Sequence, residues 1–368
     1  MIIGLDARPL KAKNKTGISR YTDEIVKNSD IDIILFSSYR QNNLSYPNCN
    51  SLRMVSFQFP TYRWGLERVW EDYVLPTMIN RAKPDIFWGP RFFVPGKLKL
   101  PTVATIHDIA FVKHPDVVSE KQYKYFDEII KNSLVSASHF IAVSKTTKSD
   151  FCEHYGVSED KVSVIYNGYN QKFLFPADNM EKEKIKIKYK LPEDFILFLG
   201  TIEPRKNLSR LIEAYKKSEA FDRQIPLVIA GKMGWLQNKL ITDIEPMVNN
   251  GNIILTGFIN DDELRVLYQT CTFFVFPSLY EGFGIPVLEA MASGAAVLTS
   301  HSSSLYELFH DSAHLVDPFS VYSISNGINQ LLKEENRKVL IKRGYEITNQ
   351  FSWKKAANQH LELFKSLI

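Results

Sequence analysis

The sequence of 368 residues predicts an α/β protein of two domains, each built on a parallel β-sheet with helices packed against it. Two observations lead to this prediction. The length suits two domains of ordinary size, and short runs rich in Val and Ile alternate along the chain with helix-like stretches. Apolar runs of this kind are typical of strands covered on both faces, and a repeated strand and helix predicts parallel pairing.

The predicted strands form two series along the chain. The first series has seven apolar runs, at residues 2–7, 31–36, 53–57, 85–89, 102–108, 139–144 and 161–168. The second has five, at residues 195–204, 226–234, 252–258, 273–278 and 296–300. Helix-like stretches such as 209–217 and 261–271 separate members of the second series, as crossovers between parallel strands do.

A charged stretch between the two series predicts the domain boundary. Residues 173–194 hold few side chains suited to packing and many that are charged, which is typical of a linker or a solvated helix. We therefore predict one domain over 1–172 and a second over 195–350. Apolar residues at helical spacing predict a closing helix over 351–368.

Composition excludes several classes of protein. Hydrophobic residues make up 45% of the chain and charged residues 23%, which is ordinary for a globular protein and unlike a disordered or fibrous one. No apolar run approaches the roughly 18 residues of a membrane span. Because Met1 leads directly into a strand-like run, we expect a cytoplasmic protein. Cys49, Cys152 and Cys271 show no CxxC spacing, which argues against a disulfide framework or a zinc site.

Charge is unevenly distributed between the two halves. Residues 1–172 hold 23 Lys and Arg against 18 Asp and Glu, and the remainder holds 22 against 23, so the halves carry net charges of +5 and −1. This bias is too weak to predict nucleic-acid binding. It suits a first domain that touches an anionic membrane surface or an acidic acceptor. Segment 61–78, with Trp64, Trp70 and Tyr73, is either such a membrane-contacting surface or an interior helix.

The densest group of candidate site residues is FPSLYEGFGIPVLEAMASG, at 276–294. Glu281 precedes a glycine-rich turn and Glu289 follows it within the predicted helix. Ionised carboxylates accept hydrogen bonds from neighbouring hydroxyls, so the pair can bind a polyol at two places. The N–H groups at the helix start can hold phosphate. Alternatively, Glu281 is only a turn residue and Glu289 only a surface residue of the helix.

A second group follows the first strand of the second series. In GTIEPRKN, 200–207, Arg205 and Lys206 precede Asn207, which can cap the next helix. An adjacent Arg and Lys suit a diphosphate, because Arg supplies a planar fork and Lys a point charge. Two solvated loop cations are the alternative. The nearby GKMG, 231–234, lacks the order of a phosphate-binding Walker loop.

The first domain offers weaker candidates. His107 and Asp108 follow the fifth predicted strand, where a histidine can meet a sugar hydroxyl, although a lone histidine is as easily structural. Gly17 precedes a helix that Ser19 is expected to cap, and its N–H can approach a phosphate closely. No GxGxxG follows a strand, and the Asp-x-Asp at residues 30–32 precedes a strand, so we expect neither a nicotinamide cofactor nor a catalytic metal.

Four blocks together resemble the retaining glycosyltransferases of family GT4, which have the GT-B fold. They are EGFGIPVLE at 281–289, GTIEPRKN at 200–207, the His107–Asp108 pair, and IYNG at 165–168, which contains Asn167. The resemblance extends over nearly the whole chain. It implies two Rossmann-like domains that face each other across a cleft, with donor binding mostly by the second domain. It also implies acceptor binding mostly by the first domain, to which the last helix crosses back.

The resemblance also implies roles for single residues. The donor-binding positions would be Gly17, Arg205, Lys206, Phe258, Glu281, Gly282, Phe283, Gly284, Ile285 and Glu289. Among them, Glu289 would bind the donor ribose, Glu281 the transferred sugar, and Phe258 would belong to the wall beside the base. The catalytic set would be His107, Arg205, Lys206 and Glu281, with Asp108 and Asn167 on the acceptor side. The sequence departs from the family in reading TGISR for GGxxR and Gly200–Thr201 for a Gly–Arg pair.

The activity implied is transfer of a hexose with retention, without a metal or another cofactor. GTIEPRKN-type members resemble bacterial enzymes of O-antigen or capsule assembly, so the donor expected first is GDP-mannose. The acceptor would be a saccharide or a lipid-linked saccharide. Rhamnosyl or glucosyl transfer is a second interpretation, and a sugar-nucleotide epimerase of the same architecture, or a nucleotide-sugar binding protein, is a third.

Overall fold

The computed structural model describes residues 1–11, 17–39, 46, 49–60, 66–96, 98–231 and 238–368. These residues form two compact units. The first comprises Met1–Gly168 together with Ser352–Ile368, and the second comprises Tyr169–Phe351.

The first unit is built on a seven-stranded parallel sheet. Its strands are β1 (Ile2–Asp6), β2 (Asp32–Ser37), β3 (Ser51–Ser56), β4 (Ile86–Gly89), β5 (Thr102–Ile106), β6 (His139–Ala142) and β7 (Val162–Val164). They lie in the order β3-β2-β1-β4-β5-β6-β7. Every residue of β4 and β5 is buried, as expected for strands covered on both faces.

The helices of the first unit connect these strands. They are α1 (Gly17–Lys27), α2 (Leu66–Val69), α3 (Leu75–Ala82), α4 (Ala110–Lys113), α5 (Glu120–Ser136) and α6 (Lys145–Tyr155), and a π-helical turn, Trp70–Val74, joins α2 to α3. One expectation is wrong here. Helix α1 begins at Gly17, so Ser19 lies within it and is buried instead of capping it. Trp70 is fully buried in the core, which agrees with the interior-helix interpretation for that residue.

The second unit is built on a six-stranded parallel sheet. Its strands are β8 (Ile196–Leu199), β9 (Leu227–Ala230), β10 (Ile253–Gly257), β11 (Phe273–Phe276), β12 (Val297–Ser300) and β13 (His314–Val316), in the order β10-β9-β8-β11-β12-β13. Sequence reasoning missed β13, because its three residues are followed at once by Asp317 and make no recognisable apolar run, whereas the equally short β7 continues into Ile165 and Tyr166.

The helices of the second unit flank this sheet. They are α7 (Asn179–Tyr189), α8 (Leu208–Lys216), α9 (Glu219–Asp222), α10 (Asn238–Asn249), α11 (Asp261–Thr270), α12 (Ile285–Ala292), α13 (Ser303–Phe309), α14 (Val321–Leu331) and α15 (Glu334–Thr348). Within the stretch 173–194, helix α7 contacts α11, where Arg265 donates to Phe175 O at 2.9 Å. The structure thus assigns this stretch to the second unit.

The chain ends in α16 (Trp353–Leu367), which belongs to the first unit. Its apolar face is buried and includes Trp353, Ala357 and Phe364. Over the described parts of the chain, no helix is both long enough and apolar enough to cross a bilayer.

A buried chain of hydrogen bonds attaches α16 to the first sheet. The His360 Nδ1–H donates to Ala356 O at 2.7 Å, so Nε2 accepts from the Tyr21 hydroxyl at 2.6 Å. The Thr105 hydroxyl then donates to Tyr21 at 3.1 Å and accepts from Trp88 Nε1 at 3.0 Å. Burial, which outweighs the Ala356 hydrogen bond, lowers the pKa of His360 to about 4. The imidazole is therefore neutral at pH 7, as this arrangement requires.

This network predicts acid sensitivity in the first unit. In the unfolded chain the imidazole has a pKa near 6.5, whereas folded His360 stays neutral down to about pH 4. Because only the unfolded state binds the proton in this range, the free energy of unfolding of the unit falls as pH falls from about 6.5 to about 4. The loss approaches roughly 3 kcal/mol. Urea unfolding followed by tryptophan fluorescence suits the test, since four of the five tryptophans lie in the first unit. The stability difference between wild type and His360→Gln should shrink over this pH range; a constant difference contradicts the assignment.

Candidate functional site

The second sheet has its topological switch point between β8 and β11. The chain leaves β8 toward β9 on one side of the sheet and leaves β11 toward β12 on the other. Because the two loops diverge, a crevice opens between them at the carboxyl ends of β8 and β11. The loop after β8 contains Arg205 and Lys206, and the loop after β11 contains Glu281. The fold therefore brings together residues that lie 75 and 76 positions apart in the chain.

One carboxylate joins the two cations at this crevice. Arg205 Nη1 donates to Glu281 Oε2 at 2.7 Å, and Lys206 Nζ donates to Glu281 Oε1 at 2.6 Å. Arg205 also donates through Nη2 to Glu203 Oε1 at 2.9 Å. Two cations and two carboxylates thus meet with no net charge. Sequence reasoning missed Glu203, although it lies only two residues before Arg205.

Backbone contacts fix the two loops to each other. Leu279 N donates to Arg205 O at 2.9 Å, and Arg205 Nη1 also donates to Tyr280 O at 2.9 Å. Asn207 occupies the N-cap position of α8 in the left-handed conformation, with φ of 61°. Its side chain does not cap the helix but donates to Pro277 O and Pro318 O at 3.0 and 2.6 Å. The expected side-chain cap is thus absent, and the Asn207 amide instead connects its own loop to the loops that contain Pro277 and Pro318.

Burial and shared charge set the protonation of this group. Burial alone would raise the pKa of the Glu281 carboxyl, but Arg205 and then Lys206 outweigh burial and lower that pKa to about 2. Burial and the neighbouring Arg205 lower the pKa of the Lys206 ammonium. Both pKa values fall for a consistent reason: the charged form of Glu281 is stabilised by two cations, whereas Lys206 has one carboxylate to offset both burial and the charge of Arg205.

Lys206 retains donors for a ligand. The residue is 9% exposed, and its ammonium nitrogen lies 4.7 Å from the centre of the Phe276 ring. Within the described residues, it uses one of its three N–H groups, on Glu281. Nearby, the chain just after β9 passes close to the chain just after β8. Position 231 therefore requires glycine, because a Cβ on Gly231 would lie 2.0 Å from Gly200 O.

The start of α12 borders the same crevice. Gly284 is its N-cap residue, with φ of 94°, and a Cβ there would lie 2.7 Å from Leu305 Cδ2, so glycine suits both the conformation and the space. Gly282 and Phe283 are buried, and the Phe283 ring packs edge-on against Phe351 at 5.6 Å between centroids. Ile285 is partly exposed at the first helical position.

Glu289 and Phe258 lie further from the shared carboxylate in the sequence. Glu289 lies within α12 and is only 1% exposed, so it is not the surface helix residue that sequence reasoning left open. Phe258 follows β10 at the edge of the sheet and is 51% exposed. Of GKMG, residues 232–234 lie outside the described residues.

The remaining predicted residues belong to the first unit. His107 and Asp108 follow β5, where His107 Nε2 donates to Pro90 O at 2.8 Å and Asp108 Oδ1 accepts from Ala110 N at 3.0 Å. Burial lowers the pKa of His107, so its Nδ1 is a lone-pair acceptor. Asn167 is 3% exposed, and its Oδ1 accepts no hydrogen bond from the described residues. Gly17 is exposed at the start of α1.

Chemically, the crevice of the second unit presents two cations that its own carboxylates neutralise, an arrangement suited to an anion. An incoming diphosphate finds a buried ammonium, a guanidinium and the N–H groups at a helix start. Glu281 would then share its cations with the ligand and could accept hydrogen bonds from sugar hydroxyls. Among the residues described, no cluster of three or more His, Cys, Asp or Glu is arranged to hold a metal ion.

Comparisons with known proteins agree with this architecture. A family model described as "Glycosyltransferase Family 4" matches residues 16–173, and one described as "Glycosyl transferases group 1" matches residues 179–347. O-antigen chain mannosyltransferase B of Escherichia coli is 32% identical over 288 residues, which cover 77% of this chain and 75% of that protein.

Two further similarities extend over different lengths. The serotype-specific mannosyltransferase WbdA of Escherichia coli is 32% identical over 278 residues, 73% of this chain, but the match spans only 34% of WbdA. The crystal structure of Anabaena Alr3699/HepE in complex with UDP and glucose superposes with a TM-score of 0.77, covering 100% of this chain and 99% of that chain. At 17% identity, the latter similarity shows the fold alone.

The shared carboxylate predicts a distinct acid response. Folded Glu281 has a pKa of about 2 against an ordinary 4.5, so it stabilises the second unit above about pH 4.5 and loses this effect as pH falls toward 2. Glu281→Gln leaves the buried Lys206 and the partly exposed Arg205 short of a counter-charge and should cost about 3 kcal/mol at pH 7.

Urea unfolding of wild type and Glu281→Gln at pH 7, 5 and 3 tests this response. The stability difference between them should be largest at pH 7 and decrease toward pH 3. Glu213→Gln removes an exposed i,i+4 pair with Lys217 and is the matched control, with little effect expected. A difference independent of pH would contradict the proposed ionisation of Glu281.

Proposed function

This chain belongs to glycosyltransferase family 4 and has the GT-B fold, and we propose that it is a retaining mannosyltransferase that uses GDP-mannose in surface polysaccharide synthesis. The acceptor in this proposal is a saccharide or a lipid-linked saccharide. The observation that supports it most is the pair of cations at the switch point of the second sheet, Arg205 and Lys206, tied to Glu281. The similarity to an O-antigen mannosyltransferase supports the choice of mannose.

Charge explains how this crevice would promote transfer. When the bond between the sugar C1 and the diphosphate oxygen breaks, negative charge grows on the β-phosphate. Lys206 and Arg205 would stabilise that charge, and Lys206 has two N–H groups that are not bonded to described residues. Because both side chains are already held by Glu281 and the backbone, little reorganisation is needed during the reaction.

The two glutamates would bind the hydroxyl groups of the donor. Glu289, buried in α12, would accept hydrogen bonds from the ribose hydroxyls, and Glu281 from the transferred sugar. The acceptor hydroxyl would attack C1 on the face that the leaving group vacates, and its proton would pass to the departing phosphate. The configuration at C1 is then retained, and neither a metal nor an enzyme nucleophile takes part.

Donor transfer is the direct test of this proposal. Purified protein should transfer mannose from GDP-mannose to a mannoside acceptor with retention at C1, followed by NMR of the product's anomeric signals. UDP-glucose, UDP-galactose and dTDP-rhamnose are the comparison donors. Lys206→Met should lower kcat by about 10²-fold to 10³-fold, whereas Lys217→Met, which removes an exposed lysine of the same unit, should leave it unchanged. Activity should survive excess EDTA. Preference for another donor, inversion at C1 or loss on chelation would each refute that part of the proposal.

A lipid-linked acceptor would bring the enzyme to a membrane surface. With Trp70 buried, the described part of segment 61–78 offers Tyr73, which is 64% exposed, and Val69, which is 40% exposed. The net charge of +5 over 1–172 supports attraction to anionic headgroups. Tyr73→Glu should reduce co-sedimentation with vesicles of phosphatidylglycerol and phosphatidylethanolamine, and Tyr322→Glu, at an exposed tyrosine of the second unit, should not. Equal sedimentation of both variants would exclude this surface.

A further inference from the structure

The first sheet has a switch point of its own, between β1 and β4. The site proposed above uses the equivalent position of the second sheet, and none of the sequence motifs pointed to this one. Five charged side chains meet there: Asp6 and Arg8 from the end of β1, Glu67 and Glu71 from α2 and the π-helical turn, and Arg91 from the loop after β4. We call this group the switch-point cluster.

The inner half of the switch-point cluster is buried and fully engaged. Arg8 donates to both oxygens of Asp6, with Nη2 at 2.7 Å from Oδ2 and Nε at 3.0 Å from Oδ1. Its Nη1 donates to Glu71 Oε1 at 2.8 Å. The Arg8 side chain is 7% exposed and lies 5.1 Å from the centre of the Phe93 ring. These contacts fix the position of the carboxylates around Arg8.

The outer half of the switch-point cluster is open to solvent. Arg91 Nη2 donates to Glu67 Oε1 at 3.1 Å, and these two side chains are 29% and 32% exposed. Within the described residues, Arg91 uses no other nitrogen as a donor. The partly exposed Tyr125 lies near Glu67, and burial together with the Glu67 charge raises the pKa of its hydroxyl. The rim thus offers unused guanidinium donors beside a fixed carboxylate and an aromatic ring.

Charge decides which ligand suits this rim. Three carboxylates and two guanidiniums give the cluster a net charge of −1. An anion would gain little there. A neutral polyol matches better, because its vicinal hydroxyls can accept from Arg91 and donate to Glu67 at once.

The neighbouring loop supplies a further polar group. His107, after β5, donates through Nε2 to Pro90 O, the residue just before Arg91. Its Nδ1 is left as an acceptor, and the described residues supply no donor to it. Loops after β4 and β5 therefore present an acceptor and a donor group along one edge of the sheet, as recognition of several hydroxyls requires.

We propose that Arg91 and Glu67 form a saccharide-binding subsite that holds the acceptor sugar and determines acceptor specificity. Arg8 and Glu71 are positioning residues, because Arg8 Nη1 lies 3.5 Å from Glu67 Oε1 and Glu71 Oε1 lies 3.8 Å from Arg91 Nη2. Asp6 in turn holds Arg8. This inference rests on the proposed transferase activity and assigns its acceptor side. The ligand class is a neutral hexose with vicinal hydroxyls, at the end of the acceptor chain.

Steady-state kinetics separates acceptor binding from donor binding. With GDP-mannose and methyl α-mannobioside, Glu67→Gln and Arg91→Gln should each raise the KM for the disaccharide about tenfold or more. The KM for the donor, and the slow donor hydrolysis measured without acceptor, should stay within about twofold of wild type. Arg91→Lys, which keeps the charge but not the fork, should lie between. Lys131→Gln, at an exposed i,i+4 pair on α5, is the matched control.

A second measurement needs no donor and so keeps this inference apart from the donor assignment. Saturation-transfer difference NMR with methyl α-mannobioside alone should show binding to wild type and to Lys131→Gln, and strongly reduced binding to Arg91→Gln. Melting temperatures should stay near that of wild type, because both rim side chains are partly exposed. Absence of binding to wild type, binding to Arg91→Gln equal to wild type, or a parallel rise of both KM values would overturn the subsite.

Discussion

Geometry at the carboxyl ends of parallel strands governs this protein. In each unit, the strand order reverses direction once, and the loops on either side of that point diverge. Charged residues placed just after such strands are forced together, whatever their separation in the chain. In the second unit, this constraint makes Glu281 the common partner of Arg205 and Lys206. Because opposite charges buried together stabilise one another only when well aligned, the two loops are held in a single arrangement.

The two units use this constraint differently. The second unit balances two cations against two carboxylates, and its buried ammonium retains donors for an anion. The first unit places more carboxylates than guanidiniums at the equivalent point, which disfavours an anion and suits hydroxyl groups. In the proposed reaction, the donor diphosphate would require cations and the acceptor hydroxyls would require hydrogen-bonding groups. The difference between the switch points is therefore a difference in charge balance, on sheets of the same kind.

Uncharged groups also contribute to the packing of both units. Asn207 joins two loops through its amide, and glycine at 231 and 284 permits close packing that a side chain would prevent. In the first unit, the closing helix α16 is held by the Tyr21–His360 hydrogen bond and by buried rings around it. Prepositioned groups of this kind lower the reorganisation needed when charge develops or a ligand binds.

The sequence alone determined the class of fold, the positions of twelve of the thirteen strands, and the residue types at the second switch point. Continuous apolar runs and a charged turn after a strand are local signals, and local signals survive in a single sequence. It did not reveal β13, the burial of Ser19, the role of Glu203, or the switch-point cluster around Arg8. Those depend on which side chains meet after residues tens of positions apart are brought together, and only tertiary packing decides that.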